Sequence, residues 1–580
     1  MTLKQHLRAA GNEQDNREKS NLESRLPGDH PSEDKRYPKK SNNRLARRIL
    51  RVIQSSGLIP ELEKRLRRHP GRKSRLSIKT LLLCMILAAE EKDRYLRSDI
   101  CSVINGLDHR LGIELGLWTW DTRHPITYTM TVKQIKRLEA ALLQTWFTSN
   151  GAIRSIDWFM HTFVSATLPV GLTNEITTVA LDWTPITCWA VTKDHRIEKE
   201  VRKHQPLKEN PKIGELDLRG RLRRSACPDC RGGWRTATNK IPAGPFNGMY
   251  GHAVTLAADA TWSGDPHRIR IGAAPPMFSP HVKSVPANND IALSGLNAIL
   301  ATLEQFPNVT TVIADLGYTR FGKDFVRPLH RLGIDIVMDY DDDHKEKAEL
   351  VKAGLKGKEQ TLLLNCGTFF PKWMPEDLWV PPEDLTGKKL RKWYADRAKY
   401  RYSPISKPDK NGAIRFICPQ CAGRVTTNAK TRSRRRATRE RTVPRVVNIE
   451  DEYCCDGTLT IPVEQLDTYQ SIPFGTPAWK KRYTRRMQIE NFNNMVKTDG
   501  GLRHGWCRAL GAIANNMGVL ALIVAHNLRQ AKSYLSRKRS AENNGDHPPP
   551  PDNETAPPDK PIATNGTAPR GPPGSTPTNA

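Results

Sequence analysis

Tyr483, Arg486, Glu490 and Lys497 bring a phenol, a guanidinium, a carboxylate and an ammonium into one short stretch near the C-terminal end of the chain. The stretch reads as one helix. At about 100° of rotation per residue, offsets of three, seven and fourteen place all four within roughly 60° of one face. A stripe at this spacing is normally apolar and turned toward a core, so a polar one needs another destination. Solvent is one, with Arg486 and Glu490 as an i, i+4 ion pair. A phosphodiester backbone with a divalent metal is the other.

Two further carboxylates stand at the ends of apolar, β-branched runs. Thr177-Thr178-Val179-Ala180-Leu181 predicts a buried strand that delivers Asp182 just ahead of Trp183, Thr184 and the turn-favouring Pro185. Val309-Thr310-Thr311-Val312-Ile313-Ala314 predicts another, ending in Asp315. An acid at a strand end is also a common cap for the next element, and spacing alone does not separate the two roles. Three carboxylates nevertheless suit Mg²⁺, with Mn²⁺ as a substitute, because a hard cation takes a few oxygen ligands and completes its shell with water and substrate phosphate. Two ions flanking a phosphate can activate an attacking oxygen and stabilise the leaving one.

Tyr483, Arg486, Glu490 and Lys497 together resemble the Y-R-E-K signature of bacterial DDE transposases of the insertion-sequence-four type. Asp315-Leu316-Gly317-Tyr318 resembles the D-x-G-Y segment around that family's second acid. Looser matches are Trp234-Arg235-Thr236-Ala237-Thr238-Asn239-Lys240 and Tyr250-Gly251-His252, similar to a basic segment and a strand start between the first two acids. The resemblance implies an α/β, ribonuclease-H-like catalytic core with Asp182, Asp315 and Glu490 as catalytic residues and Mg²⁺ ligands. It also implies that Tyr483, Arg486 and Lys497 contact DNA phosphates. The implied activity is cut-and-paste transposition of an insertion sequence by metal-dependent strand cleavage and strand transfer. The implied partners are double-stranded DNA, as terminal inverted repeats and target, and a second copy of the chain in a homodimer. The same three acids would also serve a ribonuclease-H-like nuclease that does not join strands. The basic surface alone would serve a degenerate, non-enzymatic DNA-binding protein.

Charge agrees with a polyanionic partner. With 91 Lys+Arg against 61 Asp+Glu, the formal net charge is +30 and the pI about 9.8, which favours nucleic acid through steering and counterion release. The longest apolar runs, Leu81 to Ala89 and Met517 to Ala525, are too short to span a bilayer. Residues 1–30 lack the apolar block of a signal peptide. The expectation is a cytoplasmic protein without a membrane partner. Eleven scattered cysteines, odd in number, do not read as a disulfide framework.

The elements that must position the acids follow from pattern and composition. Residues 1–44 read as a disordered basic tail and 538–580 as a disordered Pro-rich one. A small helical domain for DNA binding or assembly spans 45–165, with Arg65, Arg67, Arg68, Arg72, Lys73 and Arg75 ahead of its most apolar helix. Alternating strands and helices over 166–345 form the first part of the core, and 471–537 holds the Glu490 helix. The 174 residues between Asp315 and Glu490 imply an inserted subdomain over 346–470. In that insertion Trp373, Trp379 and Trp393 are candidates to stack on an extruded base, or to fill a local core, and 432–441 is an Arg-rich loop. Cys418-x2-Cys421 has zinc-knuckle spacing, and Cys454-Cys455 follow after 32 residues, so these four are candidates for structural Zn²⁺. Cys227-x2-Cys230 has the same spacing but stands far from them, and reads as incidental.

Overall fold

The structure is a computed structural model describing residues 41–66, 74–92, 96–148, 151–187, 206–209, 215–218, 227, 229–234, 248–261, 281–286, 291–425, 457–498 and 510–543. The first part is helical: α1 (Asn43–Ser55), α2 (Leu58–Leu66), α3 (Ile78–Lys92), α4 (Arg97–Gly106), α5 (His109–Glu114), α6 (Tyr128–Leu143) and α7 (Ile156–Ala166). A short antiparallel pair, β1 (Trp146–Phe147) and β2 (Ile153–Arg154), separates the last two helices. Side-chain oxygens of Asn42, Asp108, Thr127 and Ser155 accept the first backbone N–H groups of α1, α5, α6 and α7, which sets where these helices begin. Every residue of α3 from Thr80 to Ala89 is buried. A helix that is apolar all round belongs at the centre of a bundle, and α1, α2, α4 and α6 surround this one.

After the short helix α8 (Leu172–Glu175) comes a mixed sheet. Its strands are β3 (Thr178–Thr187), β6 (Arg231–Trp234), β7 (Gly248–Asp259), β8 (His281–Pro286), β9 (Thr311–Ala314) and β10 (Asp335–Met338); a separate small parallel pair, β4 (Leu207–Lys208) and β5 (Leu216–Asp217), lies between β3 and β6 in the chain. The order is β10-β9-β3-β7, with β6 and then β8 paired along the outer side of β7. β3 runs antiparallel to β7 and parallel to β9, and β9 runs parallel to β10. Alternation along the strands separates the two faces. Val179, Leu181, Val312, Ala314, Ile336 and Met338 pack with α9 (Ile291–Gln305) and α10 (Arg327–Arg331). Ala180, Ile313 and Val337 face the other way, into a core shared with the N-terminal helices.

Asp182 does not end its strand. β3 continues to Thr187, with Pro185 inside it opposite Ala253. The parallel neighbour β9 stops at Ala314, level with Leu181. Beyond Leu181, β3 therefore has β7 on one side only, and a strand edge is where proline is tolerated. The expected turn at Pro185 does not form.

The insertion contains α11 (Asp342–Glu346), the antiparallel sheet β11 (Glu349–Ala353), β12 (Gln360–Asn365) and β13 (Thr368–Pro371), then α12 (Gly387–Ala398) and a second antiparallel sheet of β14 (Ser403–Pro404), β15 (Ile414–Ile417) and β16 (Thr458–Ile461). Its returning segment is stitched to the main sheet. The Tyr340 hydroxyl donates to Thr468 O (2.6 Å), Gln470 Oε1 accepts from Met338 N (3.1 Å), His330 Nε2 donates to Tyr469 O (3.1 Å), and Arg327 pairs with Asp467. Gly367, at φ +63°, permits this approach: a Cβ there would sit 1.8 Å from Thr468 O. Trp393 is buried, with its indole donating to Asp377 O, while Trp379 donates to Met374 O and Trp373 packs edge-on to Tyr400. All three tryptophans help fill the insertion's own core.

The last segments are α13 (Pro477–Tyr483), α14 (Met487–Thr498) and the long α15 (Ala512–Asn543). Val519 to Ala525 of α15 are fully buried, and the helix packs against α3, α7 and β8. The N-terminal helices and one face of the sheet therefore share a single apolar core through α15. Helix α15 also carries order to Asn543, past residue 538 where the tail was expected to begin. Residues 1–40 and 544–580 lie outside the described residues. Among those described, no helix is long and apolar enough to cross a membrane.

Candidate active site

The stretch bearing Tyr483, Arg486, Glu490 and Lys497 is not one α-helix. Thr476 caps α13, with Pro477 at its first position, and α13 ends at Tyr483. Thr484–Arg486 form a 3-10 turn, and α14 begins at Met487. The tighter turn advances about 120° per residue in place of 100°, so three residues re-aim α14 by roughly 60° relative to a continuous helix. Trp479 anchors this bend: its ring stacks on Tyr483 (4.7 Å between centroids, 12° between planes), and its Nε1 donates to Met338 O at the end of β10 (3.1 Å). Tyr483 and Arg486 still reach the same patch as Glu490. Lys497 lies on α14, and its side chain is outside the described residues.

The two aspartates are brought together by register. Leu181 pairs with Ala314 across parallel strands, so Asp182 and Asp315, one residue further on each, leave the sheet at the same level. By alternation both belong to the face opposite Leu181 and Ala314, which is the face α14 covers. Asp182 Oδ1 accepts from Trp183 N (2.8 Å) and its Oδ2 from Asn493 Nδ2 of α14 (2.9 Å). Asp315 Oδ1 accepts from Leu316 N (2.8 Å), capping a 3-10 turn over Leu316–Tyr318. Arg486 then joins the strands to the helix, with Nη2 3.0 Å from Asp315 Oδ1 and Nη1 hydrogen-bonded to Glu490 Oε1.

The electrostatics describe one cluster. Burial works against the Arg486 charge, but Asp315, Tyr483, Asp182 and Glu490 more than offset it and hold its pKa above the ordinary value. Burial pushes the Tyr483 phenol up; Arg486 opposes this, and Asp339, Asp315 and Glu490 add to it. Tyr318 is raised by burial and then by Asp182 and Asp315. The Arg486 side chain is 17% exposed, against 38% for Asp315 and 50% for Glu490, so the acids present toward solvent and the cation sits beneath them. Three carboxylates against one guanidinium leave formally two negative charges in the patch. Oxygen donors with lone pairs to spare and a residual charge of this sign fit Mg²⁺ or Mn²⁺.

Asn493 and Trp479 escaped the sequence reading, although both carried a signal. Asn493 stands three residues after Glu490, on the same face of α14, and Trp479 stands four before Tyr483. Several other candidates have local partners. Arg65 lies over the Trp146 ring (5.5 Å) and Arg75 donates to His124 O (3.1 Å). Arg67, Arg68, Arg72, Lys73 and 432–441 lie outside the described residues, as do 235–240, while Trp234 is in β6 and Tyr250 to His252 are in β7.

Of the proposed zinc set, Cys418 follows β15, is buried and donates its N–H to Gly457 O (3.4 Å), whereas Cys421 is exposed in the next turn. Cys454 and Cys455 lie outside the described residues. Among the described residues, Cys227, Cys230 and His252 form a buried group whose possible ligand atoms all lie within 4.8 Å of one another, with the two sulfurs in bonding contact. The first cysteine pair is thus built into a buried cluster and is not incidental. Compared with known proteins, the chain matches no family model, and no curated protein matches it significantly.

Proposed function

We propose that the chain is a DDE transposase that moves an insertion sequence by cleaving DNA ends and joining them to a target, with Asp182, Asp315 and Glu490 as its catalytic carboxylates. The observation that carries this reading is their meeting at one patch from two parallel strands and a helix separated from Asp315 by 174 residues, with Arg486 linking Asp315 to Glu490 and Asn493 linking the helix to Asp182. The sheet order, an antiparallel β3–β7–β8 run beside parallel β9 and β10, supports reading the core as ribonuclease-H-like. The +30 charge supports a DNA partner.

Bound Mg²⁺ would supply Lewis-acid activation of the attacking oxygen and stabilisation of the leaving one. The chain's own residues do the positioning. Asn493 holds one oxygen of Asp182 and the Trp183 amide holds the other, so this carboxylate cannot rotate away. Arg486 keeps Asp315 and Glu490 near each other despite their like charge. Tyr483 and Arg486 line the approach for a phosphate.

The test supplies purified full-length protein with Mg²⁺ and a DNA fragment taken from the sequence flanking its own coding region, plus a supercoiled target plasmid. The expected result is nicking at the element end followed by covalent joining of the 3′-hydroxyl end to the plasmid. Cleavage without joining would make the protein a nuclease. Binding with neither reaction would make it a DNA-binding protein alone.

A further inference from the structure

We propose that Cys227, Cys230 and His252 bind a structural zinc ion that fastens the start of α15 to the outer edge of the main sheet. This does not depend on the reading of the acid cluster. His252 pairs with β3 at Ile186, four residues beyond Asp182, which is about 13 Å along a strand.

The three side chains are buried, at 0%, 1% and 1% exposure, and their ligating atoms all lie within 4.8 Å of one another. Cys230 Sγ stands 3.7 Å from His252 Nδ1. A sulfur and a nitrogen sharing a tetrahedral zinc, with bonds of about 2.3 Å and about 2.05 Å, are separated by about 3.6 Å, which Cys230 and His252 meet. The two sulfurs, by contrast, lie in bonding contact and must part to about 3.75 Å to share the ion. Thiolates and an imidazole are also a donor set that selects zinc over the hard cations suited to three carboxylates. A fourth ligand would complete the tetrahedron.

The surroundings favour negatively charged sulfur. Gly511 N donates to Cys227 Sγ (3.3 Å), and Ala512 N donates to Asp229 Oδ2 (2.6 Å). The Cys227–Cys230 loop therefore accepts backbone N–H groups at the start of α15, where the helix dipole favours negative charge. An amide donating to a metal-bound thiolate is the outer-shell contact that such sites use. The location gives the ion something to fasten. Cys230 immediately precedes β6, whose pairing with β7 reaches Gly251, and His252 is where β8 takes over that edge. One ion would hold β6, β7 and α15 at the point where two strands exchange places. The Cys227 and Cys230 sulfurs are also in bonding contact, so a disulfide is the competing chemistry. His252 would have no part in a disulfide, yet its Nδ1 faces Cys230.

The test measures metal in full-length protein purified without chelators. Elemental analysis should find about one zinc per chain. Alkylation under denaturing, non-reducing conditions should label both Cys227 and Cys230. Replacing the zinc with Co²⁺ should give the thiolate-to-cobalt charge-transfer absorption. Cys227→Ser and His252→Ala should lose the metal, His252→Cys should retain it, and Cys418→Ser and Cys421→Ser should leave it in place. Where a ligand variant fails to fold, zinc persisting in Cys418→Ser and Cys421→Ser, with both Cys227 and Cys230 alkylated in wild type, assigns the ion to this cluster, and zinc lost from Cys418→Ser would assign it elsewhere and overturn the proposal. Absence of zinc from wild type, recovery of an intact Cys227–Cys230 disulfide, or zinc retained in Cys227→Ser would each overturn the proposal.

Discussion

Arg486 is the residue on which the acid cluster turns, because one guanidinium contacts carboxylates from a strand and from a helix at once. Replacing it with alanine removes that link and, under the proposed function, a phosphate contact. Arg486→Ala should weaken binding to end DNA and lower the slope of log K against log salt by about one, as read by fluorescence anisotropy across a salt series. An unchanged slope would place Arg486 outside the DNA contact. Asn493 acts through another group, by orienting Asp182. Asn493→Ala should cost about 10- to 100-fold in cleavage rate, as loss of a partner behind a metal ligand does, with DNA affinity unchanged; an equal loss of affinity would mean that it contacts DNA itself. Single residues were readable here only in part. Acid, phenol and guanidinium were visible as types at a spacing, whereas Asn493 and Trp479 gain their roles from which strand end lies opposite them.

At the scale of elements, the runs before Asp182 and Asp315 were legible because β-branched and apolar residues in short blocks predict buried strands. What decided the site was register, and the pairing of Leu181 with Ala314 is a long-range choice that no local pattern contains. The turn expected at Pro185 failed for the same reason, since proline is acceptable in a strand once the neighbour on one side has ended. The single helix expected over Tyr483 to Lys497 became two helices and a 3-10 turn. Periodicity over fifteen residues does not detect a three-residue change of pitch.

Docking of the insertion is also a matter of elements, and Gly367 tests it. Gly367→Ala should destabilise the protein by about 1–3 kcal/mol in denaturant unfolding, because the added methyl meets Thr468 O and the Tyr340 hydroxyl in tightly packed surroundings. Wild-type stability would show that the contact can relax. Burial holds His330 down to about 4, and its Nε2–H donates to Tyr469 O at the same junction. Its folded pKa lies below the unfolded value of about 6.5, so the unfolded chain takes up the proton first. The stability this neutral histidine contributes is complete above about pH 6.5 and is lost as pH falls toward about 4. His330→Gln should flatten the fall in melting temperature across that window, and an unchanged fall would assign it to other groups.

On the scale of the whole molecule, helix α15 joins what the sequence divides. A helical segment before residue 166 and a sheet after it read as separate domains, yet α15 lies against both and one apolar core runs through them. Chain order hides this, because the joining helix comes more than 300 residues after the N-terminal helices and more than 200 after strand β8. The net charge of +30 is the molecule-scale property most plainly legible from composition, and it predicts DNA affinity that does not require the acid cluster. Chemistry and binding are therefore separable, and the measurement that most directly tests the central claim separates them. Glu490→Gln keeps side-chain size and hydrogen-bonding capacity while removing one of the three negative charges. In parallel Mg²⁺-dependent cleavage, strand-joining and DNA-binding assays, wild type is expected to cleave and join, and Glu490→Gln to bind DNA with little change while losing both reactions. Normal cleavage and joining by Glu490→Gln would contradict the assignment of Asp182, Asp315 and Glu490 as the catalytic set.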